Sequence, residues 1–201
     1  IYAATEDSSN LTNLSFTPND KALLYAQYSQ GFRIGKGQSA PVGDCDIDNN
    51  GILDGTLAPI SDLIKSDTTG NYELGAKFTL LDNRLTLNAA VFRIDWSDIA
   101  VQVQGSNAEG CAAFMFANFG EARSEGIEVE ANYAVSSNLL LNLSASYLDA
   151  RLTESPLLDV PDAEDELAFA PNNASLGLEY SFELGNYPAF VRSDISYVSD
   201  Y

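Results

Sequence analysis

Short and long connections alternate strictly along this 201-residue chain, and that regularity constrains the fold more than any single segment does. Four connections are tight and carry the Asn, Asp, Gly or Pro that turns favour: TPNDK at 17–21, LDNR at 81–84, VSSN at 135–138 and LGNYP at 184–188. Between them lie long connections, at about 34–70, 105–117 and 153–170. A soluble sandwich sorts its connections by Greek-key topology and has no need of this order. A barrel that crosses a membrane does need it, because short turns gather on one side and long loops on the other.

The segments between the connections read as strands. In EARSEGIEVEANY, Ile127, Val129, Ala131 and Tyr133 alternate with Glu128, Glu130 and Asn132. The same period of two runs through Ala22–Tyr28, Tyr72–Leu80, Leu139–Tyr147 and Ala174–Phe182, and more loosely through Ala189–Tyr197. With 85–104 and a partial strand around Leu14 and Phe16, eight strands are expected. Segment 85–104 breaks the pattern. Leu85, Leu87, Ala89 and Val91 share a face, but Phe92, Ile94 and Trp96 take the other, which predicts a bulge or a passage out of the apolar zone. Strands of 10 to 16 residues are long enough to cross a bilayer. The polar face holds small and amide residues beside its charges, as a wet lumen does. The apolar face is therefore expected to meet lipid. Trp96, Tyr133, Tyr147, Tyr180, Tyr187 and Tyr197 suit aromatic girdles, with Tyr133 and Tyr187 beside short turns.

Composition excludes several classes of function. The net charge is −19, from 29 acidic and 10 basic residues, which is the wrong sign for binding nucleic acid. Hydrophobic residues make up 45%, too many for disorder. No apolar run is long enough for a transmembrane helix. Histidine is absent, and no G-x-S-x-G elbow occurs, so a serine–histidine site cannot be assembled within the chain and no catalytic residue is assigned. The start, IYAATEDSSN, and the end, ISYVSDY, both look cut, as in a fragment of something longer.

The stretches LLYAQYSQGFRIG, SDTTGNYELGAKFTLLDNRLTLNAAVFRIDWSDIAVQ and NFGEARSEGIEVEANY, in that order, resemble the barrel of a TonB-dependent outer-membrane receptor over about residues 14–200. The resemblance implies an all-β, antiparallel up-and-down transmembrane barrel, of which residues 1–201 supply about eight of 22 strands. It also implies an N-terminal plug and an energy-coupling motif that this sequence does not include. The implied location is the outer membrane of a Gram-negative bacterium. The implied function is active import of a scarce small molecule, such as a siderophore, cobalamin or oligosaccharide. The implied partners are that ligand, the TonB system through the missing N-terminal part, and outer-membrane lipid with lipopolysaccharide. Two other readings stand beside it: a passive porin or channel, and a soluble calcium-binding β adhesin.

One long loop carries a specific pattern. In GDCDIDNNGILDG, Asp46, Asp48, Asn50 and Asp54 fall at positions 1, 3, 5 and 9 of a calcium loop, with Gly51 at position 6 and the Ile52 carbonyl at position 7. The twelfth position, which should bring a bidentate carboxylate, is Leu57. The alternative is an acidic loop whose Asp and Asn residues cap local turns. Cys45 and Cys111 fall in two long loops that barrel topology puts on one side of the membrane, so a disulfide is expected, against two thiols or partners elsewhere. Phe114, Met115 and Phe116 are either a ligand-contacting cluster or, as is commoner, packing under loops or the start of a strand. Asp159, Asp162, Glu164, Asp165 and Glu166 form a cation funnel or a solvated acidic loop. Glu73, Lys77, Glu128, Glu130 and Glu179 are expected on the lumen wall, and no single residue is assigned to the ligand.

Overall fold

The computed structural model describes residues 8–40, 45–107, 110–111, 113–154 and 169–200. Eight strands form one antiparallel meander: β1 (Asn10–Asn19), β2 (Ala22–Arg33), β5 (Asp67–Leu80), β6 (Leu85–Gln104), β7 (Phe114–Ala134), β8 (Leu139–Glu154), β9 (Asn172–Leu184) and β10 (Tyr187–Val198). Two short strands, β3 (Lys36–Gly37) and β4 (Leu63–Ile64), pair with each other inside the first long loop. No described residue is helical. β1 and β10 are the two edges, so the wall is an open arc and not a closed barrel.

All four tight turns stand where the sequence places them. At 81–83, Leu81, Asp82 and Asn83 all take positive φ, a conformation that Asn and Asp tolerate better than most side chains. The long connections are shorter than expected, because the strands run further. The first spans 34–66 and contains the β3–β4 ladder, and the second shrinks to 105–113 because β7 already begins at Phe114. β6 covers the expected 85–104, 20 residues, and β7 reaches 21 residues, beyond the 16 anticipated. Their upper ends project past β5 and β8 as a two-stranded ribbon.

The irregularity in β6 has a clear origin. Pairing with β7 is unbroken from Leu85↔Tyr133 to Trp96↔Ala122, and register shifts occur only between Trp96 and Ala100. The change of apolar face at Val91/Phe92 therefore involves no bulge. Both faces of the sheet change together at that level. Toward the short turns, one face carries Leu74, Leu87, Val91, Ile127, Leu143 and Leu176, while the other carries Lys77, Asn88, Glu128, Glu130 and Ser144. Toward the long loops, the formerly apolar face turns ionic. Arg93 pairs with Asp95 at 2.9 Å, Arg123 with Asp95 at 2.8 Å, and Arg151 with Asp149 at 2.9 Å. On the other face, Phe92, Ile94 and Trp96 sit beside Leu148 and Ala150. This double inversion marks the passage of the strands out of the apolar zone.

The tyrosines follow the same border. Tyr28 and Tyr72, their ring centres 5.0 Å apart and tilted at 43°, stand on the face that turns ionic, in register with Arg93, and Tyr147 pairs with Ile127 one step nearer the short turns. Tyr180 and Phe182 stack at 6.3 Å near the short turns. Trp96 is no girdle residue. Its alternation puts it on the opposite face, with the Arg33 guanidinium 4.7 Å from its ring centre.

Almost all burial lies in the loop head and not in the wall. Leu53, Ala58, Val103, Met115 and Ala117 form the core there with the Cys45–Cys111 disulfide, supported by Ile60, Val101 and Ala113. Leu53 and Val103 are 0% and 1% exposed, and each contributes about 1.5–3 kcal/mol by leaving water. The wall residues Leu14, Leu74, Ile127, Leu143 and Ile195 are exposed. A sheet with one exposed apolar face of this extent needs an apolar solvent, which a bilayer supplies.

Candidate ligand-facing site

Two surfaces are placed where a ligand would meet them: the polar face of the wall, and the loop head above it. On the polar face, Glu73, Lys77, Glu128, Glu130 and Glu179 all point to the same side, as their alternation predicts. Tyr25 donates from its hydroxyl to Glu73 at 2.5 Å, its ring lying over Gly75 where a Cβ would clash. Glu128, Glu130, Ser144 and Ser146 line a polar hollow of about 330 Å³ with Asn173 and Ser196. A hollow of about 600 Å³ lies on the other face among Leu14, Ala26, Tyr28, Tyr72, Leu74 and Val91. It belongs to the apolar wall and offers little to a polar ligand.

The head is built from the first two long loops. The disulfide joins Cys45 to Cys111 across 66 residues, as the sequence predicts. Met115 is buried under the first loop, whereas Phe114 and Phe116, which open β7 with it, are 56% and 37% exposed. The acidic cluster 159–166 lies outside the described residues.

Asp46, Asp48, Asn50, Ile52 and Asp54 are brought into one tight wrap. Asp46 accepts from the amides of Asn50 and Gly51 at 2.9 and 3.0 Å, and Asn50 accepts from the Ile52 amide at 2.7 Å. The Asn50 side chain donates to Asp48 at 2.9 Å. Gly51 takes the left-handed conformation, φ 78°, that the sixth position of such a loop demands. Asp54 accepts from the Ile47 amide at 3.1 Å and from the Asn107 side chain at 2.9 Å, which ties the wrap to the second loop. Among the described residues, no three carboxylate, His or Cys groups converge closely enough to hold a metal in this conformation.

The sequence reading misses the cations at the rim. Arg33, Lys36 and Lys65 converge on one cleft beside Asp67 and Phe116. The signal was present in FRIGK and LIKSD, basic steps at the two ends of a loop within an acidic chain, but only the β3–β4 pairing brings them together. Trp96 Nε1 and Asn71 Oδ1, neighbours on the polar face, are both buried without a hydrogen-bond partner.

Comparison with known proteins agrees with this architecture. The family model described as TonB dependent receptor-like, beta-barrel, matches residues 6–201. A probable TonB-dependent siderophore receptor, PiuA of Acinetobacter baumannii, is 26% identical over 159 residues, which cover 77% of this chain and 19% of that protein. Among solved structures, the ferric yersiniabactin uptake receptor FyuA of Yersinia pestis aligns with a TM-score of 0.68 at 16% identity, over 94% of this chain and 25% of that one. The ferric preacinetobactin receptor BauA of Acinetobacter baumannii gives 0.67 at 22% identity, over 96% and 26%. The chain thus spans about a fifth to a quarter of the length of these relatives. An open eight-stranded arc, apolar on one face and polar on the other, is what such a share of a larger barrel should look like. The chain belongs to the TonB-dependent receptor-like β-barrel family of the Gram-negative outer membrane.

Proposed function

We propose that the protein of which this chain is part is an outer-membrane receptor that imports a scarce small molecule, with a ferric chelate as the leading class, using energy delivered through TonB. The observation that carries this reading is the family match over residues 6–201, which takes in wall and loop head together. The relatives that bear siderophore names add the ligand class. We read the protein as a transporter and not as an enzyme, since the relatives are transport receptors. In this reading the disulfide-joined loops face outside, the short turns face the periplasm, and the polar wall faces a plug supplied by the rest of the protein. The outward ionic belt of Arg93, Asp95, Arg123 and Asp149 then lies at the level of the lipopolysaccharide headgroups.

The test is uptake of radiolabelled iron, offered as a panel of chelates, in cells that express the full-length receptor with and without TonB. Accumulation that needs both proteins supports the reading. Receptor-dependent entry that persists without TonB would indicate the passive channel.

A second reading concerns the wrap at 46–54. Its favouring observation is that Asp46 holds the amides of Asn50 and Gly51 with Gly51 left-handed, the fold of a calcium loop around its first ligand. In this proposal Asp46, Asp48, Asn50, the Ile52 carbonyl and Asp54 bind calcium after Asp48 and Asp54 turn inward. Calorimetric titration of the full-length receptor should then show one site that Asp46→Asn removes. Heats equal to those of dilution would rule it out.

A further inference from the structure

The rim cleft departs from the electrostatics of the rest of the chain. Ten basic residues are spread among 29 acidic ones, yet three of the ten line a single hollow of about 230 Å³. Asp67 is the only carboxylate among the described residues that line it. Asp67 is 4% exposed, and both its oxygens accept from Arg33, at 3.0 and 2.9 Å from Nε, with a further short contact from the guanidinium. Arg33 and Asp67 therefore neutralise each other. Lys36 and Lys65 are exposed, and neither pairs with a carboxylate among the described residues. The cleft carries a local excess of positive charge on a protein of net charge −19, which attracts anions there and repels them elsewhere.

The cleft is also shaped. Gly35 lies so close to the opposite strand that a Cβ would stand 2.4 Å from the Ile64 carbonyl oxygen and 2.9 Å from the Ser66 nitrogen. Its amide donates to the Ser66 hydroxyl at 3.1 Å. This contact, extended by the Lys36↔Ile64 pairing, holds Lys36 in β3 beside Lys65, which directly follows β4. The Gln38 side chain then fixes the ladder to β7, donating to the Phe116 carbonyl at 2.6 Å and accepting from its amide at 2.8 Å. Phe116 thereby forms one wall, its ring centre 5.7 Å from Lys36 Nζ, and Ile34 and Ala100 continue the apolar lining. Two ammonium groups, one of them over an aromatic face, beside apolar walls suit a ligand that has both a charge and a hydrophobic body.

We propose that this cleft binds a compact soluble anion joined to an aromatic or apolar body, with Lys36 and Lys65 holding its oxyanion and Phe116 and Ile34 packing against the body. The identification of that anion with the cargo rests on the import reading above, whereas the anion selectivity follows from the cleft alone.

The experiment uses the full-length receptor purified in detergent, with the ferric complex of 2,3-dihydroxybenzoate as probe, followed by equilibrium dialysis. The receptor should bind the probe, and inorganic phosphate should compete. Lys36→Ala combined with Lys65→Ala should weaken binding at least tenfold, and Gly35→Ala should weaken it several-fold by forcing the strands apart. Lys21→Ala, in a short turn at the opposite end, should change nothing. Folding of each variant is checked by the heat-sensitive electrophoretic mobility of intact barrels. A folded Lys36→Ala/Lys65→Ala receptor that holds the probe as tightly as its parent overturns the proposal. So does displacement by lipopolysaccharide with phosphate inert, which would assign the cations to a lipid headgroup. Iron uptake measured in parallel separates the two readings. Probe binding lost in the variant of a receptor that imports nothing sinks the import reading alone, and import with binding indifferent to the lysines sinks the cleft alone.

Discussion

The wall and the loop head of this chain solve the same problem by opposite means. The wall has no core among the described residues: its leucines and tyrosines face outward, and strand pairing plus an apolar solvent hold it together. The head has a small conventional core of Leu53, Ala58, Val103, Met115 and Ala117, closed by a disulfide, because it stands in water and must bury its own apolar surface. The two regions share strands. β6 and β7 begin as wall and end as head, and the residues between Val91 and Trp96 are where one solution gives way to the other. A strand can therefore change its environment without changing its register, provided both of its faces change polarity together.

The comparison can be broken most severely from the head. Val103→Asp puts a carboxylate at a site 1% exposed, with a desolvation cost of several kcal/mol. Limited proteolysis should then cut within 45–64 and 105–113, while the wall keeps its heat-sensitive mobility. Loss of both regions at once would mean that they fold as a single unit.

From the wall side, Leu143→Arg places a charge in the middle of the apolar face, at a cost of about 2–4 kcal/mol in a bilayer. Denaturant unfolding in lipid vesicles should register that loss. The same substitution should be almost silent for proteolysis of the head. Conversely, Cys45→Ser with Cys111→Ser should cost the head about 2–4 kcal/mol and leave bilayer insertion unchanged. Reduction of the parent protein should reproduce the double variant in the proteolysis assay.

The smallest effect belongs to the ionic belt. Arg123 is 37% exposed and pairs with Asp95 at 2.8 Å, so Arg123→Ala should cost less than about 1 kcal/mol, and less again at high salt. A loss above 2 kcal/mol would place the belt in a low dielectric, against the border drawn here.

Much of the wall was legible in the sequence because a period of two is a local signal and turn residues mark its ends. Ile127, Val129, Ala131 and Tyr133 announce their face without any knowledge of their partners. The disulfide was legible for a related reason, since topology alone puts Cys45 and Cys111 on one side. What could not be read was long-range. The early start of β7 goes with packing of Met115 against Leu53, about 60 positions away. Trp96 looked like a girdle residue until the alternation past Val91 was followed through the register to the opposite face. The rim cations needed the β3–β4 ladder, two residues per strand, which no propensity signals. Arg93 and Asp95, Arg123, and Asp149 lie in three separate strands. Only strand pairing aligns them into a belt.

The most direct test of the central claim is depth-resolved accessibility across the border in the full-length receptor, reconstituted in a bilayer with its disulfide intact. Single cysteines at Val91, Phe92, Arg93 and Arg123 would each carry a nitroxide, and its collision rate with oxygen and with a water-soluble nickel complex would be compared. The account predicts an oxygen-dominated label at Val91, nickel-dominated labels at Arg93 and Arg123, and a label at Phe92 that does not report lipid. A lipid signal at Phe92, or at the arginine positions, would contradict it.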